Sequence, residues 1–154
     1  MNGPIYEYGE WLRARFPFRV QKIAIDAGFT CPNRDGTVGT GGCAFCRGSS
    51  FAPPYCTPAH SVRRQIEDGK AFFARKCPEA KYIAYFQSHT NTYSSSMERL
   101  RRTYEEALET DGVVGIAIAT RPDCVGDDVL GYLERLARQT FVMVEYGIES
   151  ANDS

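Results

Sequence analysis

Strand-like and helix-like segments alternate along this chain, and that alternation limits its fold more than any other feature. Residues Val20–Asp26 alternate and carry enough β-branched side chains to predict a strand that ends just before Gly28. Ser61 is placed to cap a helix over Val62–Lys76, in which Val62, Ile66 and Phe73 share a face at helical spacing. Tyr82–Gln87 predicts a second strand, and Ser96 precedes a helix with Met97, Leu100, Tyr104 and Leu108 on one stripe. Gly112 stops that helix, and Val113–Ala119 is apolar throughout, as a strand covered on both faces requires. Asp127 is placed to cap a further helix carrying Leu130, Leu133, Leu136 and Ala137, and Phe141–Tyr146 predicts a fourth strand. A short leading helix is expected around Ile5–Arg15, packed over one end of the sheet.

Strands separated by amphipathic helices pair in parallel through right-handed crossovers. The second, third and fourth begin about thirty residues apart, the pace of a βα barrel. So few strands do not close a barrel, and an unpaired last strand is an exposed edge. The expected fold is therefore α/β: a partial, TIM-like (βα) barrel of about four parallel strands with flanking helices. Residues 1–154 would be the N-terminal part of a longer domain, with an open four-strand sheet as the alternative.

Composition narrows the class. Hydrophobic residues make up 43% and charged residues 24%, with a formal net charge of −1, the balance of a folded protein with no bulk attraction to nucleic acid or an anionic membrane. The opening stretch MNGPIYEYGEWLRARF has no uninterrupted apolar core, so it reads as neither a signal peptide nor a membrane span. The expected location is cytoplasmic. In a reducing compartment six cysteines point to ligation or catalysis rather than to a disulfide framework.

Three of those cysteines share one glycine-rich loop. Eleven residues separate Cys31 from Cys43, and two separate Cys43 from Cys46. The loop leaves the C-terminal end of the first predicted strand, where parallel α/β proteins place their active sites. Gly36, Gly39, Gly41 and Gly42 allow positive φ and leave amide N–H groups to point at sulfur. Closing such a loop costs only roughly 2 kcal/mol, whereas a bound structural metal returns about 10–16 kcal/mol. Three thiolates leave one coordination position open, which suits a 4Fe–4S cluster with one iron available to a ligand. Cys56 completing a four-cysteine zinc site, and cysteines without any metal, are the other two readings.

The segment resembles the radical S-adenosylmethionine superfamily, whose signature places an aromatic residue just before the last cysteine, as in Cys43-Ala44-Phe45-Cys46. The gap between the first two cysteines is wider than the family's usual one, and in this it is similar to the elongator-like and YhcC-type branch. Asp26-Ala27-Gly28-Phe29-Thr30-Cys31-Pro32-Asn33, Thr120-Arg121-Pro122-Asp123 and Glu145-Tyr146-Gly147-Ile148-Glu149-Ser150 are similar to that branch as well. The resemblance implies a 4Fe–4S cluster on Cys31, Cys43 and Cys46 whose open iron is chelated by the amino and carboxylate groups of S-adenosyl-L-methionine. One electron, delivered by a donor such as flavodoxin or ferredoxin, would cleave that cofactor to methionine and a 5′-deoxyadenosyl radical, which abstracts hydrogen from a substrate. It further implies that Phe45 lies near the adenine. The cofactor's amino-acid part would meet Gln87 and Ser88 after the second strand, and its ribose would meet Glu145 or Glu149 at the fourth. An RNA partner follows only by analogy with the elongator-type relatives, and no membrane partner is expected.

Other polar residues have plainer expectations. His89 is read as a solvated or hydrogen-bonded loop residue rather than a ligand. Arg121 either binds a carboxylate or phosphate through its fork or belongs to a turn in which Asp123 caps the next helix. Glu145 and Glu149 otherwise form an ion pair with a neighbouring loop. Cys124 is read as a small semi-buried residue at the mouth side of the third strand, with a redox role as its alternative, and Cys77 as structural. Arg99, Arg101 and Arg102 form a basic, solvated helix face. The competing class of function is a non-catalytic binding module stabilised by zinc or a cluster.

Overall fold

A computed structural model describes residues 7–44, 46 and 52–148. Helix α1 (Tyr8–Arg15) leads into β1 (Val20–Ile25), followed by α2 (Val62–Phe73), β2 (Lys81–Phe86), α3 (Met97–Leu108), β3 (Val113–Thr120), α4 (Asp127–Ala137) and β4 (Phe141–Tyr146). The four strands form one all-parallel sheet in the order β1-β2-β3-β4, so the fold is α/β with flanking helices. A short 3-10 turn, Pro122–Cys124, links β3 to α4.

The helix starts follow side-chain capping. Ser61 Oγ accepts from Arg64 N at 3.2 Å, and Ser96 Oγ accepts from Arg99 N at 3.2 Å, each satisfying a donor that the first turn leaves unpaired. At α4 the expectation fails: Gly126 is the N-cap, and Asp127 is the first helical residue, where its charge favours the helix dipole instead. Helix α2 ends at Phe73, short of Lys76, in a turn closed by Cys77 N donating to Phe73 O at 2.8 Å. Helix α3 ends at Leu108, before Gly112, whose φ of 78° turns the chain into β3. The start expected at Ile5 for α1 lies outside the described residues.

Strand alternation divides the core. Ile23, Ile25, Ala84, Phe86, Ile116 and Ile118 face α2, α3 and α4, where they meet Ile66, Leu100, Tyr104 and Leu133. On the opposite, inner face, Leu12 of α1 packs with Ile83 and Ala117, while Phe16 meets the Phe141 ring edge-on at 5.4 Å. Helix α1 thus lies along the inner face of the sheet. The stripe of α4 is set differently from the expected one. Val129, Tyr132, Leu133 and Leu136 are buried, whereas Leu130 is 46% exposed and Ala137 is exposed as well.

The sheet curls toward its inner face. Strands spaced about 4.8 Å apart would hold β1 and β4 about 14 Å from each other in a flat sheet. Side chains stand roughly perpendicular to the sheet. Even so, Lys22 of β1 and Glu145 of β4 form an ion pair over β2 and β3. The Lys22 ammonium lies 4.2 Å from the Tyr85 ring centroid and 4.8 Å from that of Tyr8.

Candidate active site at the C-terminal ends of the strands

The chain between β1 and Cys31 is held from three directions. Gln65, fully buried on α2, accepts from Asp26 N and donates to Asp26 O, both at 2.9 Å, so it continues the strand's hydrogen bonding past Ile25. Asp26 Oδ1 accepts from Gly28 N at 2.9 Å, and Gly28 takes a φ of 65°. From α3, Arg99 donates to the carbonyls of Ala27 at 3.3 Å and Gly28 at 2.9 Å, with its guanidinium 4.9 Å from the Phe29 ring centroid. The basic face is exposed as expected, and its arginines also make contacts. Arg99 grips the approach to Cys31, Arg101 lies over Tyr132, and Arg102 pairs with Glu98.

The cysteine loop folds back on itself. Arg34 N and Asp35 N donate to Cys31 O, Val38 N and Gly39 N donate to Pro32 O, and Gly42 N donates to Asn33 O. Positive φ occurs at Gly36 and Gly42 but not at Gly39 or Gly41. Gly42 packs so closely on Arg34 that a Cβ there would stand 3.2 Å from Arg34 Nε. Among the described residues side chains, rather than the expected glycine amides, reach all three sulfurs, joined at Cys31 by the backbone N–H of Asn33. Asn33 Nδ2 donates to Cys43 Sγ at 2.9 Å, Arg34 Nη2 reaches Cys46 Sγ at 3.7 Å, and Arg121 Nη1 reaches Cys31 Sγ at 3.9 Å.

The loop after β2 is buried at Thr90, Asn91 and Thr92 and half-buried on either side of them. Asn91 is fully buried and donates through Nδ2 to the carbonyls of Phe86, Ser88 and Ala119, tying the ends of β2 and β3 together. Tyr104 donates its hydroxyl to Asn91 O at 2.7 Å. Thr90, 2% exposed, hydrogen-bonds the Cys31 sulfur through its side chain and donates its backbone N–H to Thr30 O. His89 has a φ of 64°, in the left-handed region, and its buried Nδ1 has no partner among the described residues.

After β3, the fork of Arg121 is occupied by Asp123, with Nε to Oδ1 at 2.8 Å and Nη2 to Oδ2 at 2.6 Å. Asp123 therefore pairs with Arg121 instead of capping α4. Burial raises the Cys31 thiol, but hydrogen bonds from Thr90, from Asn33 N and from Arg121 outweigh it and hold the thiol below its ordinary range. Cys124 goes the other way: burial and the Asp123 charge push it up to about 11. Cys56, buried in the core beside Tyr55, is pushed up to about 11 by burial and by Asp26. Cys77 is buried at the end of α2 and packs in the same core.

These loops enclose a cavity of about 610 Å³ at the C-terminal ends of the four strands. Cys31, Cys43 and Cys46 all line it, together with Gln87 after β2 and Glu145 on β4. Glu145 pairs with Lys22 of β1 rather than with a loop, and Tyr85 hydrogen-bonds to it. Ser88 is not among the lining residues, and its carbonyl serves the Asn91 turn. Cys56 is also absent from the lining. Phe45 and Glu149 lie outside the described residues. Asn33, His89, Thr90 and Thr120 line the cavity although the residue pattern singled out none of them as a site residue. Threonine, asparagine and histidine are ordinary loop residues, and only the fold brings them against the cysteines.

Among the described residues no three His, Cys, Asp or Glu side chains already stand close enough together to hold a metal ion. Three thiols nonetheless line one cavity, each met by a side-chain N–H donor, and two of those donors are arginines.

No family model matches the chain, and no solved structure matches it. It is 44% identical over 142 residues to an uncharacterized protein, YtqA, of Bacillus subtilis strain 168, an alignment covering 92% of this chain and 44% of the relative. It is 39% identical over 148 residues to protein YhcC of Escherichia coli strain K12, covering 95% of this chain and 46% of that protein. The chain thus spans less than half the length of the curated relatives it matches.

Proposed function

We propose that this chain is the cofactor-binding portion of a radical S-adenosylmethionine enzyme, its curled four-strand sheet forming part of a TIM-like barrel of that family's type. Cys31, Cys43 and Cys46 would hold a 4Fe–4S cluster, and S-adenosyl-L-methionine would occupy the fourth iron and the rest of the cavity. The observation that carries this reading is the convergence of three thiols from one loop on a single cavity at the strand ends. Cys56, which a four-cysteine zinc site requires, is turned into the core with its thiol pushed up to about 11.

When bound, the pair supplies one-electron reductive cleavage of the cofactor's sulfonium carbon–sulfur bond, followed by hydrogen-atom abstraction from a substrate. The residues of the chain have simpler tasks. Thr90 and Arg121 stand against the Cys31 sulfur beyond the C-terminal ends of β1 and β3 and favour its anionic form. Gln87 offers an amide to the amino-acid part of the cofactor, and Glu145, oriented by Lys22 and Tyr85, offers a carboxylate to its ribose. The electron comes from a flavodoxin- or ferredoxin-class donor, and the working compartment is the reducing cytoplasm.

The test is the electron paramagnetic resonance spectrum of the anaerobically reconstituted, reduced chain with and without S-adenosyl-L-methionine. A ligand that takes the open iron changes the spectrum. An unchanged spectrum at saturating cofactor contradicts the reading.

A further inference from the structure

The long gap between the first two cysteines carries the donors that serve the other two. Arg34 N and Asp35 N close onto Cys31 O at 2.8 and 3.1 Å, so the chain turns sharply immediately after the first cysteine. Gly42 N donates to Asn33 O at 2.8 Å, which brings the two ends of the gap side by side. In that arrangement two consecutive side chains point forward, Asn33 to Cys43 Sγ and Arg34 to Cys46 Sγ, and Arg34 also grips Cys46 O at 3.3 Å. Gly42 has no side chain to keep Arg34 away. Cys31 takes its side-chain N–H donor from across the cavity, Arg121, beside Thr90 and the backbone N–H of Asn33. The loop thus supplies two of the three side-chain N–H donors to sulfur from inside the ligand-bearing segment itself.

Resting on the proposed cluster, we infer that Asn33 and Arg34 are positioning residues that set the reduction potential of the site, and that the eleven-residue gap serves to carry them. Reduction adds negative charge to the cluster and its thiolates. An N–H donor or a guanidinium against sulfur stabilises that charge and raises the potential. Removing either donor therefore lowers the potential without removing a ligand. Arg34 contributes a full charge and Asn33 a dipole at shorter range, so each variant shifts the potential separately.

The experiment is a spectroscopically monitored redox titration of the reconstituted chain and of Asn33→Asp, Arg34→Gln and Arg34→Lys, with iron and sulfide measured on each sample. Val38→Ala, an exposed position in the same loop, is the control. The expected result is wild-type iron content throughout, lower midpoint potentials in N33D and R34Q, partial recovery in R34K, and no shift in the control. Potentials equal to wild type at full cluster content overturn the inference and leave the proposed function standing. Loss of iron from both N33D and R34Q also overturns it, because the pair then serves assembly rather than tuning. A wild-type chain that takes up no iron overturns both.

Discussion

Lys22 and Glu145, 123 residues apart in sequence and on the two outermost strands, form an ion pair above the inner face of the sheet. The contact joins the packing of the fold to the candidate site, because Glu145 lines the cavity and Lys22 does not.

The pair is expected to be energetically coupled. Lys22→Met keeps an apolar stem between Tyr8 and Tyr85 but leaves Glu145 without its counter-charge. With 34% of the Glu145 side chain exposed, the loss is discounted from the fully buried case to about 1–3 kcal/mol. Lys22→Met combined with Glu145→Gln should recover part of it, with a coupling of about 1–2 kcal/mol in a double-mutant cycle by chemical denaturation. Additive losses would mean that the sheet does not curl as described.

Gly69 sets how closely α2 lies on β1. A Cβ there would meet Ile23 Cγ2 at 2.5 Å and Tyr55 Cε2 at 3.2 Å, with Ile23 fully buried and unable to move aside. Alanine favours a helix by about 1 kcal/mol over glycine, while overpacking costs about 1–3 kcal/mol. Gly69→Ala should therefore lower the melting temperature, although the same change in an exposed helix would raise it. A higher melting temperature would show that the α2–β1 contact is looser than these distances.

The alternation of apolar and polar positions located all four strands and the helices between them, because periodicity is a local property that sequence displays directly. It misjudged which α4 residues face inward. Leu130 and Leu133 look alike at helical spacing, and only packing against Val144 and Tyr104 selects the Val129, Tyr132, Leu133 and Leu136 face. The cysteines were legible because their type and spacing carry the chemistry. Thr90, Asn33 and Arg99 were not. Arg99 reaches Gly28 across 71 residues and Thr90 meets Cys31 from the next loop, relationships that no local spacing encodes.

The cysteines should differ in reactivity before any metal is added. Alkylation proceeds through the thiolate. Cys31 is held below the ordinary thiol range, so at any given pH more of it is thiolate than of Cys124 or Cys56. Cys124 and Cys56, pushed up to about 11, stay protonated near neutral pH, with a thiolate fraction of about one in a thousand near pH 8. Limited treatment of the metal-free chain with iodoacetamide, read by peptide mass spectrometry, should label Cys31 well ahead of Cys124 and Cys56. Thr90→Val should slow labelling at Cys31 by removing a donor to its sulfur. Equal labelling of Cys31 and Cys124 would contradict the electrostatics of the cavity.

Iron and acid-labile sulfide content after anaerobic reconstitution test the three-cysteine site most directly. The wild-type chain should hold about four irons with matching sulfide, the composition of a 4Fe–4S cluster. Cys31→Ala, Cys43→Ala and Cys46→Ala should each abolish it, while Cys56→Ala, Cys77→Ala and Cys124→Ala retain it. A colourless chain holding one zinc, lost from Cys56→Ala as completely as from Cys46→Ala, would contradict the three-cysteine cluster and establish a four-ligand structural site in its place.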